Sequence, residues 1–321
     1  MADEAGFAGY HLAEHHGSDL CMSLNQEAFI GAASQVSTKI RLGPLVKLLP
    51  LHHPVRLIED MCVLDQLTGG RLDFGVGRGV VPIEHYWFGG NWPESKERFT
   101  DTLSIIHHAL ATGEISSAGS PFFDFPTVPL LTKPLQQPIP FWYPGNPVTA
   151  GRHGMNLIWP APIDRGSYET YVEAWHEHKG DTVRLDGEGN KPRVGCVLYV
   201  AIAPTEKKAR EIARRGVEGL TRRTLDNHKF DHLVLPEGEL EEVLGPLRRN
   251  VLSHTEDAIA FGAGTPSQIA ERFAAILEQG LTDYIVLQIP VGDMTFDEAR
   301  RTMELFATEV KPQLESASLA A

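Results

Sequence analysis

Three consecutive residues near the start of the chain, Glu14, His15 and His16, carry side chains suited to proton chemistry. An imidazole changes its charge near neutral pH, so it can act there as an acid or as a base. These residues end a short apolar run, and the capping-box signature of residues 23–26 predicts that a helix begins soon afterwards. The order of strand, ionisable cluster and helix is typical of chemistry at the carboxyl end of a parallel strand.

Further candidate groups follow the ends of two later predicted strands. His53 stands between a strand and a helix, where it can reach the same pocket. Arg78 comes directly after the strand 71–77, and a guanidinium in that place can clamp a phosphate with two parallel hydrogen bonds. Gly77 has a glycine two residues away on either side, which lets the backbone approach a ligand, but this spacing is not the dinucleotide-binding fingerprint.

The elements that must position these groups alternate regularly along the chain. Helices are indicated by apolar residues at helical spacing and by cap residues. The predicted strands are 7–12, 40–46, 71–77, 139–143, 157–159, 194–203 and 283–288, with helices between them. This alternation predicts an α/β fold with a parallel sheet, and eight such units close a (β/α)8 TIM barrel. Because only seven strands are found, and residues 1–6 have the pattern of a helix end, we expect the first βα unit to be missing from this sequence.

Two segments interrupt the pattern within what we predict to be one domain over residues 1–321. Residues 115–137 are rich in Pro, Phe and Ser, and we predict an inserted hairpin or excursion there. Residues 224–264 show weak periodicity apart from one helix near 240–249. A stretch of that length is typical of a lid or an active-site excursion, or else of disorder, and we interpret it as a lid.

Composition limits the classes of partner. The chain has 29 basic and 42 acidic residues and a formal net charge of −13, whereas nucleic acids and anionic membranes require a basic face. No apolar stretch approaches the ~20 residues of a membrane span. Three widely spaced cysteines indicate neither a disulfide framework nor a zinc motif. We therefore expect a soluble cytoplasmic enzyme without a metal.

Several motifs together resemble the bacterial luciferase-like flavin-dependent monooxygenases. The resemblance covers nearly the whole chain and rests on Glu14-His15-His16, Pro50-Leu51-His52-His53-Pro54-Val55-Arg56, Glu59-Asp60, Leu64-Asp65-Gln66, Gly70-Arg71-Leu72-Asp73-Phe74-Gly75, Arg78-Gly79, Phe88-Gly89, Gly264-Thr265-Pro266 and Met303-Glu304-Leu305-Phe306. It implies a (β/α)8 barrel that binds reduced FMN, or alternatively a reduced deazaflavin, at the carboxyl ends of its strands.

The resemblance also implies roles for single residues. His15 matches the family's catalytic histidine, which lies over the flavin and handles protons. Arg78 matches a contact to the flavin phosphate. The bond between Leu45 and Val46 stands where the family has a cis peptide below the isoalloxazine ring. The other cofactor-binding candidates are Glu14, His53 and Gly77 and, where the family binds the phosphate, Asn146 and Thr149.

The implied function is that of a monooxygenase that receives reduced FMN from a separate flavin reductase. Oxygen adds to the reduced ring to give a C4a-hydroperoxide, which oxidises a small organic substrate. The resemblance further implies a homodimer formed through helices near the front of the barrel.

Three other functions remain open from the sequence. A deazaflavin-dependent enzyme on the same barrel transfers a hydride and does not activate oxygen. A metal-dependent barrel hydrolase would use the histidine pairs with Glu14 and Asp73, although neither HxH nor HExxH spacing occurs. A flavin-binding subunit without activity is the third alternative, and His15 argues against it.

Overall fold

The computed structural model describes residues 1–21, 25–181, 184–185, 191–253 and 262–318. The strands are β1 (Gly9–Leu12), β2 (Arg41–Pro44), β3 (Lys47–Leu48), β4 (Phe74–Gly77), β5 (Glu114–Ile115), β6 (Val128–Pro129), β7 (Phe141–Tyr143), β8 (Asn156–Trp159), β9 (Val194–Tyr199), β10 (Ala201–Ile202), β11 (Ala263–Gly264) and β12 (Tyr284–Gln288). The α-helices are α1 (Gln26–Ser34), α2 (Pro54–Leu67), α3 (Pro82–Trp87), α4 (Ser95–Thr112), α5 (Pro147–Arg152), α6 (Arg165–Glu177), α7 (Glu206–Asn227), α8 (Glu237–Ser253), α9 (Pro266–Glu278), α10 (Phe296–Leu305) and α11 (Lys311–Ser318). None of the helices in these ranges has the length and apolarity to cross a lipid bilayer.

The parallel strands lie side by side in an order that follows the chain. β1 pairs with β2, and β3, which comes directly after it, pairs with β4. Beyond β4 follow β7, β8, β9 and β12, while β10 pairs with β11. β1 and β12 stand at the two ends of this order, and their side chains meet where His11 Nε2 lies 2.9 Å from Tyr284 Oη. The fold is therefore of the TIM-barrel type, as the alternation of strands and helices predicted.

β4 and α2 illustrate how the sequence builds the core. All four residues of β4 are buried, as expected for a parallel strand that is covered on both faces. α2 buries Leu57, Ile58 and Met61, which the helical period places on one side. Replacing one such side chain by Ala lowers the free energy of unfolding by about 2–5 kcal/mol. This packed layer therefore supports the strands that carry the site.

The predicted insertion is confirmed as a hairpin. β5 and β6 pair in antiparallel fashion, with Ile115 opposite Val128. Within the loop between them, the Ser117 hydroxyl donates to the Phe125 carbonyl and accepts from its N–H, both at 2.9 Å. The hairpin forms a separate two-stranded sheet and does not interrupt the order of the parallel strands.

The predicted lid has different bounds in the structure. Helix α7 continues through residue 227, and at the other end β11 belongs to a parallel pair in which Ala201 faces Ala263. Between them lie a 3₁₀ turn at Asp231–Leu233 and α8. The last turn of α7 is polar and has no apolar periodicity, so the sequence did not indicate that the helix continues. The two-residue strand β11 consists of Ala and Gly and has no β-branched residue, so the sequence did not indicate a strand.

Candidate active site

A cavity of about 370 Å³ opens at the carboxyl ends of β1, β3, β4 and β7. Loops at this end of a parallel barrel carry the functional side chains, and the volume falls within the ~300–1,000 Å³ common for small-molecule sites. The lining consists of Ala13, Glu14, His15, Leu45, Val46, Leu48, Gly77, Arg78, Gly79, Val80, Tyr143, Pro144 and Gly145. A larger cavity of about 500 Å³, near the end of α4, lies away from these strand ends. The smaller cavity therefore is the candidate active site, and it contains six of the predicted residues.

Glu14 is a buried carboxylate that binds four protein groups. Its Oε1 lies 2.7 Å from His52 Nε2 and 3.3 Å from both His16 Nε2 and Lys47 Nζ. Its Oε2 accepts a hydrogen bond of 2.6 Å from the Leu48 backbone N–H. Burial opposes the charged form, but the hydrogen bonds from the two imidazoles and the charge of Lys47 outweigh it and hold the pKa of Glu14 below its ordinary value. Glu14 is thus a fixed negative charge that ties the end of β1 to β3.

His15 lies beside a second buried carboxylate, Glu84 of α3. His15 Nδ1 is 3.6 Å from Glu84 Oε1 and 3.4 Å from the side-chain nitrogen of Asn227, the last residue of α7. The same Oε1 accepts a hydrogen bond of 2.8 Å from the His16 backbone N–H. Asn227 is held in turn by the Ser18 hydroxyl, which donates to its side-chain oxygen. With Nδ1 turned toward these groups, Nε2 is the ring nitrogen that remains for the cavity.

Another part of the cavity wall is made by backbone and apolar side chains. The peptide bond between Leu45 and Val46 is cis, as the resemblance implied, and it lies between β2, which covers most of the predicted strand 40–46, and β3, which follows it. Gly77 packs against it, since a Cβ atom at position 77 would lie only 2.5 Å from Val46 Cγ2. A larger residue at position 77 would push Val46 out of place, which explains why this position is a glycine.

Arg78 supplies a positive charge at the rim of the cavity. Its guanidinium carbon lies 4.3 Å from the centre of the Trp92 ring, and Nη1 donates to Ser95 Oγ at 3.3 Å. Burial lowers the pKa of Arg78, while the neighbouring Tyr143 opposes that shift. Within the described ranges no carboxylate lies within ion-pair distance of this guanidinium. A partly desolvated arginine of this kind is suited to an anionic ligand.

His85 lies next to Arg78 as a neutral ring. Burial, together with the charge of Arg78, lowers the pKa of His85 to about 4. Its Nε2 is buried and has no hydrogen-bond partner among the described residues. Gly79 stands against it with φ +87°, and a Cβ at that position would be 3.2 Å from Nε2. Glycine at position 79 therefore allows both the positive φ angle and the close approach of the His85 ring.

The structure does not bring His53 to the cavity, which corrects the expectation from the sequence. The His53 ring packs against Phe123 and Phe125 of the insertion, with ring centres 5.6 and 5.2 Å apart. Successive side chains of extended backbone point to opposite sides, and the residues before α2 are extended. His52, one residue earlier, therefore reaches Glu14 while His53 turns to the hairpin.

Asn146 and Thr149 lie beside the cavity and outside its lining. Asn146 caps α5, and its side-chain oxygen accepts a hydrogen bond of 3.1 Å from the Thr149 backbone N–H. Both follow Gly145, which does belong to the wall. Their predicted contact with a phosphate stays a prediction.

Several residues of the site were missed from the sequence, among them Glu84, Lys47 and Asn227. Glu84 belongs to a helix too short to show periodicity, although Pro82 followed by an acidic residue is a helix-start signal. Lys47 is buried, and its Nζ lies 2.6 Å from Glu27 Oε1. A lone lysine inside an otherwise apolar run signals a buried ion pair, because lysine is rarely buried without a partner. Asn227 left no signal, since its contacts come from residues distant in the chain.

A family model described as luciferase-like monooxygenase matches residues 1–283. The chain therefore belongs to the luciferase-like monooxygenase family, as its motifs implied. It is similar to limonene 1,2-monooxygenase of Rhodococcus erythropolis, with 27% identity over 323 residues, 97% of this chain and 78% of the relative. It is also similar to the oxygenase component of the flavin-dependent trigonelline monooxygenase of Acinetobacter baylyi, with 23% identity over 326 residues, 97% of this chain and 87% of the relative.

Solved structures share the fold. The monooxygenase RslO1 from Streptomyces bottropensis has a TM-score of 0.78 at 23% identity, with 97% of this chain and 90% of that chain covered. The oxygenating constituent of 3,6-diketocamphane monooxygenase from Pseudomonas putida, in complex with FMN, has a TM-score of 0.69 at 20% identity, with 97% and 90% covered. An F420-dependent secondary alcohol dehydrogenase with an F420–acetone adduct has a TM-score of 0.69 at 16% identity, with 98% and 92% covered. Family and fold together support an oxidoreductase.

Proposed function

We propose that this chain is a flavin-dependent monooxygenase that uses reduced FMN and O2 to place one oxygen atom in a small organic substrate. The observation that carries the proposal is the cavity itself, which is lined by His15, the Leu45–Val46 peptide and Arg78. Among the described residues, Arg78 has no carboxylate within ion-pair distance. The family and the relatives named as monooxygenases support the same activity.

The residues present fit a reduced flavin phosphate. Arg78 offers a cation to the phosphate, and we assign Asn146 and Thr149 at the rim to the same group. Gly77, Leu45 and Val46 form an apolar part of the wall that suits a ring system. Bound reduced FMN would supply the electrons that activate oxygen, so the cofactor carries the chemistry that no side chain can perform.

His15 is the residue that we propose as catalytic. Its imidazole lines the cavity, and histidine is the side chain that most often transfers protons in enzymes. Leu45, Val46, Leu48 and Val80 around it present apolar surface, which keeps water from the reacting atoms and strengthens the electrostatic effect of His15. Glu14 lines the same cavity, but both of its oxygens already bind protein groups.

The proposed function requires a partner that reduces FMN. The trigonelline enzyme is named as an oxygenase component, and by analogy we propose a separate flavin reductase here. We further propose a cytoplasmic location, which agrees with the buried thiols of Cys62 and Cys196, neither of which belongs to a disulfide. A homodimer is proposed as well.

The experiment is an anaerobic titration with reduced FMN, and separately with reduced deazaflavin F420, followed by tryptophan fluorescence. Trp92, stacked on Arg78, reports on ligands that draw the guanidinium away. Oxygen is then admitted. We expect binding of reduced FMN and rapid oxygen consumption when the complex meets O2. No binding of reduced FMN by the folded chain contradicts the proposal.

The second candidate is a deazaflavin-dependent hydride-transfer enzyme, favoured by one observation, the F420-dependent dehydrogenase that shares the fold. A preference for reduced F420, with no oxygen consumption, assigns the chain to this class. Among the described residues no group of three or more His, Cys, Asp or Glu side chains is placed to hold a metal ion. We therefore do not propose the metal-dependent hydrolase.

A further inference from the structure

Glu84 is a buried carboxylate whose hydrogen-bonding capacity is only partly used. Its side chain is 1% exposed. Oε1 accepts from the His16 backbone N–H at 2.8 Å and from the Asn227 amide at 3.4 Å. Oε2 is buried without a hydrogen-bond partner among the described residues. An ionised carboxylate is costly in such a place unless a cation accompanies it, and in the described ranges the only basic group within ion-pair distance is His15.

We propose that Glu84 is the positioning residue for His15: its carboxylate holds the Nδ1 side of the ring and thereby turns Nε2 toward the cavity. The separation of 3.6 Å is an ion-pair distance and is too long for a hydrogen bond. When His15 takes up a proton, a small rotation of the ring closes this gap into a charge-assisted hydrogen bond. The catalytic use of that orientation rests on the proposed function, whereas the contact itself does not.

The other charged groups of the cavity are engaged elsewhere. Glu14 is saturated by His16, His52, Lys47 and a backbone N–H. Arg78 stacks on Trp92 at the far rim. From α7, the neutral amide of Asn227 reaches both His15 and Glu84, and the Ser18 hydroxyl orients it. Of the two carboxylates Glu14 and Glu84, Glu84 is therefore the one that lies beside His15 and has an oxygen without a hydrogen-bond partner among the described residues.

The structure contains a reference pair for the test. His228 Nδ1 lies 2.6 Å from Asp231 Oδ2, and both side chains are buried. A ring N–H that donates to a buried carboxylate exchanges slowly with water and gives a far-downfield NMR resonance. His228 should show such a signal whatever the role of Glu84.

The experiment is heteronuclear NMR of the full chain, labelled at the histidine nitrogens and without cofactor, at about pH 5, below the ordinary pKa of an imidazole. We expect downfield N–H signals from His15 and from His228, with the first identified by its loss in His15→Asn. In Glu84→Gln the His15 signal should disappear while the His228 signal stays. In the matched control Asp231→Asn the opposite should occur.

A His15 signal that is absent from the wild type, or one that persists in Glu84→Gln, overturns the proposal. If Glu84→Gln does not fold by circular dichroism, Glu84→Asp provides the second test. The shorter side chain draws the carboxylate back, so the His15 resonance should move upfield, and an unchanged resonance overturns the proposal equally.

A functional measurement separates this inference from the proposed function. In Glu84→Gln we expect reduced FMN to bind with unchanged affinity and oxygen-dependent turnover to fall at least about tenfold, because a misoriented His15 no longer serves the reacting atoms. If reduced FMN does not bind to any variant, the proposed function fails while the NMR result still decides the contact.

Discussion

At the scale of single residues, the site divides into groups that are saturated and groups that have capacity left. Glu14 was predicted to bind the cofactor, yet its two oxygens bind two imidazoles, one ammonium group and one backbone N–H. Arg78 and His15 have no such full set of partners. We infer that Glu14 holds the wall of the cavity in place, whereas Arg78 and His15 have capacity left to bind a ligand.

This view of Glu14 predicts a pH dependence of stability. The pKa of Glu14 is held below its ordinary value in the folded chain, so its contribution to stability is fully present above the unfolded value of about 4.5 and is lost as the pH falls below it. The difference in melting temperature between the wild type and Glu14→Gln should therefore be largest near neutral pH. It should narrow as the pH falls below about 4.5.

Glu59→Gln is the matched control, because Glu59 is an exposed carboxylate on α2. Its melting temperature should follow that of the wild type at every pH. A Glu14→Gln difference that stays constant between neutral and acidic pH contradicts the assignment of the contacts around Glu14 as charge-dependent.

At the scale of elements, long segments with caps were predictable and short ones were not. α2 begins at Pro54 and ends at Leu67, as the proline, the apolar period and the following glycines indicated. α9 begins after Thr265, whose capping box with Gln268 was present in the sequence. α3 and β11 were missed, because elements of six and two residues carry too little periodicity and depend on contacts from elsewhere.

Side-chain direction was the other limit on predicting the site. Most strand ends near the site were located, although β3 ends at Leu48 and the predicted strand ended at residue 46. Which of two adjacent histidines reaches Glu14 depends on the backbone angles of one loop. His52 reaches Glu14 and His53 packs on the insertion. The contact between His15 and Glu84 spans 69 residues along the chain and follows only from the packing of α3. Local pattern cannot specify either of these.

The 3₁₀ turn at Asp231–Leu233 fastens the segment after α7 to the site. Asp231 accepts a hydrogen bond of 3.0 Å from the Ile83 backbone N–H of α3 and pairs with His228 at 2.6 Å. Asp231→Ala leaves both partners buried without an acceptor and should lower the free energy of unfolding by about 3 kcal/mol. Under the proposed function, the loosened segment should also admit water and raise the hydrogen peroxide released per FMN oxidised.

Urea unfolding and a peroxide assay measure these two effects. Asp226→Ala is the matched control, because Asp226 forms an exposed pair of the same sequence spacing with Lys229 at 2.8 Å. An exposed pair of this kind contributes only about 0–1 kcal/mol, so the control should be close to the wild type in both measurements. Equal losses in the two variants contradict the idea that Asp231 fastens this segment.

At the scale of the whole molecule, the cavity is assembled from distant parts of one barrel. Residues of β3, β4 and β7 line it together with the residues that follow β1 and β2, while α3 and α7 contact His15 from outside the cavity. Parallel strands bring their carboxyl ends to one face, so residues far apart in sequence converge there without any local signal. The family motifs located this face from the sequence, and packing then decided which residues act on it.

The outer face of α1 and α2 carries exposed apolar side chains, and exposing them to water does not stabilise a monomer. Phe29, Val63 and Leu67 are each more than two-fifths exposed, and Tyr10 stacks on Phe29 with ring centres 5.9 Å apart. Exposed apolar surface on adjacent helices is typical of a contact between subunits. We therefore predict that the homodimer forms through this face, in the isologous arrangement that is commonest for dimers.

The prediction is tested by sedimentation equilibrium of the double variant Val63→Glu and Leu67→Glu. Four charges would then be buried across the two-fold contact, so the variant should be a monomer at concentrations where the wild type is a dimer. Leu131→Glu is the control: this leucine is 88% exposed on the insertion, and the variant should sediment as the wild type does. A double variant that remains dimeric places the contact elsewhere, and a wild type that sediments as a monomer at every concentration refutes the homodimer itself.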